Sequence, residues 1–192
     1  MVHWKIRHTK EDRKDKSLLS NESFSSEFFS PIATARRIVQ HYHAATPPFD
    51  LNRLCNDAGI KVETLCMDEL ERIANLTISS VLYNHPKHGW SILINEEKSD
   101  LQVRYAIAHE LGHYFLHARS KGERLIVSFD GDRRVHELQA DKFANELLMS
   151  EDMLREAHGK MVIPVCSSLA KMFGVPEYIM MNRLEKLDLI AI

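Results

Sequence analysis

Residues 105–117, YAIAHELGHYFLH, carry two histidines four positions apart with a glutamate beside the first. On an α-helix His109 and His113 lie one turn apart, about 40° around the axis, so both imidazoles can reach one ion. Glu110 falls on an adjacent face. There it can address a water at that ion without being consumed as a ligand, which is what an HExxH arrangement asks of its general base. So short a motif also arises by chance, and its surroundings decide. Leu101, Val103, Tyr105, Ile107, Leu111, Tyr114, Phe115 and Leu116 make the segment apolar on nearly every side, which predicts a central, buried helix. Two imidazoles and a carboxylate are costly in such a place unless something satisfies them, and a metal does. Gly112, about 1 kcal/mol worse than alanine inside a helix, points to another backbone or a ligand passing close. Ser99 with Gln102 three residues on forms a capping box that starts this helix just before Leu101.

A catalytic zinc normally has three protein ligands and one open position. The extended HExxHxxGxxH form is excluded, because Leu116 stands where its glycine would and His117 continues the same helix as a structural residue. The better third ligand lies in ELQAD, residues 137–141. Glu137 and Asp141 are four residues apart and share a face, and their stripe continues through apolar Ala144 and Leu148 towards the buried side. Glu137 is therefore expected to bind the ion, and Asp141 to accept the free N–H of a ligating histidine. Their helix, VHELQADKFANELLM, follows a polar loop around SFDGDRR and has Leu138, Ala140, Phe143, Ala144, Leu147 and Leu148 as its apolar set.

Outward from these helices, a chain of 192 residues, 44% hydrophobic with net charge −2, is long enough for one globular domain or one domain with a small appendage. No overall field attracts nucleic acid or an anionic membrane. Residues 1–30 read as a basic, Ser-rich arm, solvated rather than a binding element, and the compact domain is expected to span 31–192. Three cysteines, Cys55, Cys66 and Cys166, without a CxxC, argue against a disulfide framework and for a reducing compartment, by default the cytoplasm. Neither a signal peptide nor a membrane-spanning run is read in the chain.

Pro31 starts a helix through IATARRIVQHYHAA; Asp50 caps a short helix, Leu51 to Ala58, closed by Gly59. IKVETLCM, LTISSVLYN and WSILIN read as strands of a small antiparallel or mixed sheet, with one of 76–83 or 90–95 at an edge where an extended substrate pairs. From about residue 150 the chain reads as further short helices, including EDMLREAH, SSLAKMF and PEYIMMNRLEKL, punctuated by Gly159, Pro164, Gly174 and Pro176.

Taken together, RYAIAHELGHYFLH at 104–117, ELQADKFANELLM at 137–149 and the lead-in PPFDLNRLCNDAGIKV at 47–62 resemble the ImmA/IrrE family of bacterial and phage zinc metallopeptidases. Carried over position by position, the resemblance puts one zinc ion on His109, His113 and Glu137 and the catalytic glutamate on Glu110. Asp141 corresponds to a position often held by Asn or Asp. It implies an α+β fold: a compact zincin-like domain with a small twisted sheet packed on the HExxH helix and a helical C-terminal part. It also implies limited proteolysis of a helix-turn-helix repressor, which unlocks mobile-element, stress or defence genes. One departure concerns the end of the second helix, commonly Leu-Leu-Met-Pro in the family, where Ser150 here follows Met149 and alters only a cap.

On this reading zinc acidifies a water and Glu110 moves its proton, first off the water and then onto the leaving amine. His85, His88, Tyr105 and His136 all remain open as oxyanion donors. Other readings compete. SSLAKMFGVPEYIMMNRLEKL has the helix, glycine turn and helix of a DNA-binding unit, with Leu169, Phe173, Val175, Ile179 and Leu184 as its core. However, Arg183 and Lys186 against Glu177, Glu185 and Asp188 make a poor face for phosphates. A peptide-deformylase type would take Cys66 as third ligand, yet TLCMDE lacks the rest of that motif. A metal sensor without catalysis would have little use for Glu110.

Overall fold

A computed structural model describes residues 30–43, 46–68, 71–72, 78–118, 125–126, 131–162 and 165–190. The arm expected at 1–30 lies outside these residues apart from Ser30. Helix α1, Pro31–His41, starts as its sequence predicts, with proline in the first turn and Ser30 Oγ accepting from Ala33 N–H at 3.4 Å. It buries Thr34, Ala35 and Ile38. Helix α2, Leu51–Ala58, is capped by Asp50, whose carboxylate accepts from Arg53 N–H at 3.0 Å, and is closed by Gly59 in the left-handed region at φ 69°.

Strands β1 (Lys61–Leu65), β2 (Ser80–His85), β3 (Gly89–Asn95) and β4 (Leu125–Ile126) form a mixed sheet in the order β1-β3-β2-β4. β2 and β3 are an antiparallel hairpin with Val81 opposite Leu93 and His85 opposite Gly89; β1 joins β3 in parallel, from Lys61 beside Ser91 to Leu65 beside Asn95. The edge was expected at one of 76–83 or 90–95; segment 90–95 is interior, flanked by β1 and β2, and β2, which overlaps 76–83, lies between β3 and the short β4, paired to the latter at Leu82 and Tyr83. The apolar run Ile92, Leu93 and Ile94 explains the interior place of 90–95, since both isoleucines are fully buried.

The next helix, α3 (Asp100–His113), begins at the expected capping box, where Gln102 Oε1 accepts from Ser99 N–H at 3.0 Å. Val103, Ala106, Ile107, Ala108 and Leu111 are buried in the core, although Leu101 in the first turn stays exposed. The chain does not continue as one α-helix to His117. Tyr114–Ala118 widen into a π-turn, all five residues buried, and this rotates His117 off the line of His109 and His113.

Helix α4 spans Gly131–Leu148, so the segment expected as a polar loop contributes its last four residues, Gly131 to Arg134, to the helix. Ala140, Phe143, Ala144, Leu147 and Leu148 are buried as expected. Leu138 is not; it is 54% exposed. At 100° per residue it stands about 160° away from Ala140 around the helix, so the true stripe passes it by. Helices α5 (Glu151–Gly159), α6 (Cys166–Phe173) and α7 (Glu177–Lys186) complete the described chain. Leu169, Phe173, Val175, Met180 and Leu184 close the α6–α7 pair, with Gly174 at φ 66° in its turn. That turn sits on α3: a Cβ at Gly174 would lie 2.9 Å from Arg104 Nε. Glu146, 1% exposed on the apolar face of α4, is clamped by Arg36 of α1 at 2.7 Å and Arg183 of α7 at 2.5 Å. Among the described residues no helix is long and apolar enough to cross a membrane.

Candidate metal centre

The site is built where α3 and α4 touch. A Cβ on Gly112 would fall 2.9 Å from Ala140 Cα and 3.1 Å from its carbonyl oxygen, so only a glycine lets the two backbones come this close. The close approach expected at Gly112 is thus helix against helix, and it sets the histidines of α3 opposite the carboxylates of α4.

His109 Nε2 lies 3.1 Å from Glu137 Oε2, His113 Nε2 lies 3.0 Å from Glu137 Oε1, and the two Nε2 atoms are 3.0 Å apart. One donor atom from each residue falls within 4.8 Å of the others. Among the described residues this is the group of His, Cys, Asp and Glu whose geometry could hold a metal ion. The donors suit one. Nitrogen and carboxylate oxygen at 2.0–2.2 Å are the ordinary shell of zinc, and atoms bound tetrahedrally at that length stand about 3.3 Å apart, close to the separations present. The group is graded in exposure, with the His113 side chain 3% exposed, His109 17% and Glu137 36%, so it is closed beneath and open on the α4 side.

Asp141 Oδ1 lies 2.9 Å from His109 Nδ1 and accepts from Tyr105 O–H at 3.3 Å; Asn145 Nδ2 donates to the Asp141 carbonyl at 2.8 Å. The contact fixes Nδ1 as the protonated nitrogen of His109 and turns Nε2 to the ligand position. Burial alone would lower the His109 pKa. Its hydrogen bonds to the carboxylates of Asp141 and Glu137, with the charges of Glu110 and Asp141, outweigh it and lift the imidazole to about 10.

Glu110 is 5% exposed. Its Oε1 accepts from Ser80 Oγ at 2.7 Å, and its Oε2 is buried without a hydrogen-bond partner. Burial pushes this carboxyl up, and the charges of His109 and His113, then the Ser80 hydrogen bond, pull it back. A buried carboxylate with one oxygen held and one free is equipped to take and return a proton.

All five residues singled out from the sequence, His109, Glu110, His113, Glu137 and Asp141, come together here. Cys66 does not join them; it is an exposed free thiol just past the end of β1, the far strand of the sheet, so the deformylase-type ligand set is not formed. Of the four oxyanion candidates, Tyr105 is bonded to Asp141, His136 stacks on His117 at 4.1 Å, and His85 and His88 face each other at 4.5 Å in the β2–β3 turn. Ser80 was not foreseen. It is one of several serines in the chain, and its partner is thirty positions away, so only the folded sheet reveals it.

Residues 55–185 match the peptidase M78 family, described as the IrrE N-terminal-like domain. Over 98 residues the sequence is 33% identical to metallopeptidase ImmA of Bacillus subtilis (strain 168), a match that covers 51% of this chain and 58% of that protein. The chain thus spans a little over half the length of the curated relative it matches.

Proposed function

The chain belongs to the peptidase M78 family, the IrrE N-terminal-like domains, and on that premise we propose that it is a zinc-dependent endopeptidase making limited cuts in a protein substrate. One observation carries the reading: the donors of His109, His113 and Glu137 converge within 4.8 Å, and Glu110, next to His109 on α3, feels the charge of both histidines with its Oε2 buried and without a hydrogen-bond partner. A bound divalent ion would supply Lewis acidity to a water and to a peptide carbonyl. The protein's own groups do the rest. His109, His113 and Glu137 would hold the ion, and Asp141 would keep the His109 ring turned for it. Glu110 Oε2 accepts the proton of the attacking water and then delivers it to the amine that leaves.

The substrate we infer is a helix-turn-helix transcriptional repressor, whose cleavage derepresses mobile-element, stress or defence genes. This part rests on the resemblance of the two helix motifs to the ImmA/IrrE family. The work is placed in the cytoplasm, where three free cysteines remain reduced. A DNA-binding role for α6–α7 is disfavoured by Arg183. Its side chain is 11% exposed and is spent on Glu146 and the Met149 carbonyl, so it is not offered to a phosphate. Residues 1–30 are kept as an arm and 31–192 as the catalytic domain in this proposal.

The experiment is to incubate the zinc-loaded protein, or its Glu110→Gln variant, with the repressor encoded nearest to it and to read intact masses. A discrete cut by the wild type, slowed at least about 100-fold in the variant, is expected. An uncut repressor with the zinc-loaded wild type speaks against that substrate, and equal cutting by both proteins removes Glu110 from the chemistry.

A further inference from the structure

We propose that Ser80 is a positioning residue for Glu110: its hydroxyl fixes which carboxylate oxygen is presented to the reacting atoms. The inference rests on the peptidase reading above and goes beyond it by adding a residue that the HExxH motif does not contain.

The geometry is specific. Ser80 opens β2, where it stands in register with Ile94 of β3, so the sheet fixes its backbone. Its Oγ reaches across to α3 and donates to Glu110 Oε1 at 2.7 Å, within the range of a hydroxyl bonded to a charged acceptor. Oε2, buried and without a partner, is left as the one oxygen able to serve the reaction. A glutamate has three rotatable bonds, and both its oxygens are chemically equal until something distinguishes them. Without the hydroxyl the buried carboxylate would turn between orientations, only a fraction of which face the ligand position. Position and role are thereby divided between layers: the helix brings the carboxylate, and the sheet orients it.

The test uses the full chain loaded with zinc and acetohydroxamic acid as the probe, because a hydroxamate on a zinc site places its O–H where a carboxylate must accept it. Affinities are measured by calorimetry for wild type, Ser80→Thr, Ser80→Val, Glu110→Gln and the double variant Ser80→Val with Glu110→Gln. Threonine and valine have the same shape and both favour strands, so the pair differs in the hydroxyl alone. Zinc content and melting temperature are recorded for each.

The expected result is binding within about twofold of wild type for Ser80→Thr and about tenfold weaker for Ser80→Val, with zinc content unchanged. Ser80→Val should cost nothing further once Glu110 is glutamine, because the hydroxyl acts through that carboxylate. Equal affinity for the threonine and valine variants overturns the proposal, as does an undiminished tenfold loss in the Glu110→Gln background. If wild type and Glu110→Gln bind the probe equally, the failure lies deeper, in Glu110 as the group serving the metal, and the role of Ser80 falls with it.

Discussion

At Asp141 a single carboxylate decides which nitrogen of His109 is available. Its oxygen sits 2.9 Å from Nδ1, leaving Nε2 to face Glu137, and Tyr105 donates to the same oxygen from behind. Replacing Asp141 by Asn keeps the shape and removes the charge that favours an Nδ1–H tautomer. Zinc affinity should fall about 10–100-fold, measured by competition with a chromophoric chelator; an unchanged affinity would mean that the ring is held by packing alone. At this scale most of the site was legible. His109 and His113 are fixed by one turn of helix, a spacing that needs no tertiary knowledge, and Glu137 with Asp141 repeats the same four-residue step on an otherwise apolar stripe. Ser80 and Glu146 were not legible, for opposite reasons. Ser80 is an ordinary strand serine whose meaning comes from a helix far along the chain, whereas Glu146 looks like any helix carboxylate until Arg36 and Arg183 arrive from two other helices.

Two helices and their point of closest approach carry the site. Gly112 meets Ala140 backbone to backbone, with 2.9 Å between a would-be Cβ and Ala140 Cα. Gly112→Ala would raise the intrinsic helix propensity of α3 by about 1 kcal/mol and still destabilise the fold, because the added methyl forces α3 and α4 apart at a cost of about 1–3 kcal/mol. The same displacement moves both histidines away from Glu137, so zinc binding should weaken together with the melting temperature. A more stable variant with full zinc affinity would contradict this account of the contact. The sequence pattern located both helices and misjudged their ends. SFDGDRR carries turn-forming residues, yet Gly131 to Arg134 are helical because α4 continues N-terminally past its apolar stripe, and the π-turn at Tyr114–Ala118, all five residues buried, is a change of winding that hydrophobic spacing does not signal. Leu138 was assigned inward on spacing alone; the carboxylates of Glu137 and Asp141 take the face next to α3, and Leu138 is turned out.

Across the described residues, polar links tie the other elements to the two site helices, among them Ser80–Glu110 from the sheet and the buried Glu146 clamp from α1 and α7. Glu146 joins α1, α4 and α7 through Arg36 and Arg183, its side chain 2% exposed and theirs 43% and 11%. Glu146→Gln leaves the Arg183 guanidinium buried without a counter-charge, a loss of about 3 kcal/mol, with little added from the exposed and screened Arg36. Circular dichroism should show a melting temperature lower by roughly 6–12 °C. An unchanged melting point would show that α7 is held by its apolar face alone. The α+β class was implied by the family resemblance, and the main helices and strands followed from hydrophobic periodicity and caps, whereas β4 and the order β1-β3-β2-β4 did not, because the parallel partner of β3 is chosen by burial and crossover geometry that local pattern does not encode.

In the proposed centre α3 gives a metal two histidines and α4 gives it the third ligand. The most direct test is a zinc titration of the metal-free full chain, comparing wild type with Glu137→Gln and Glu110→Gln. One tight equivalent is predicted for wild type and for Glu110→Gln, with affinity lowered at least about 100-fold in Glu137→Gln. Equal affinity for wild type and Glu137→Gln would contradict the three-ligand centre.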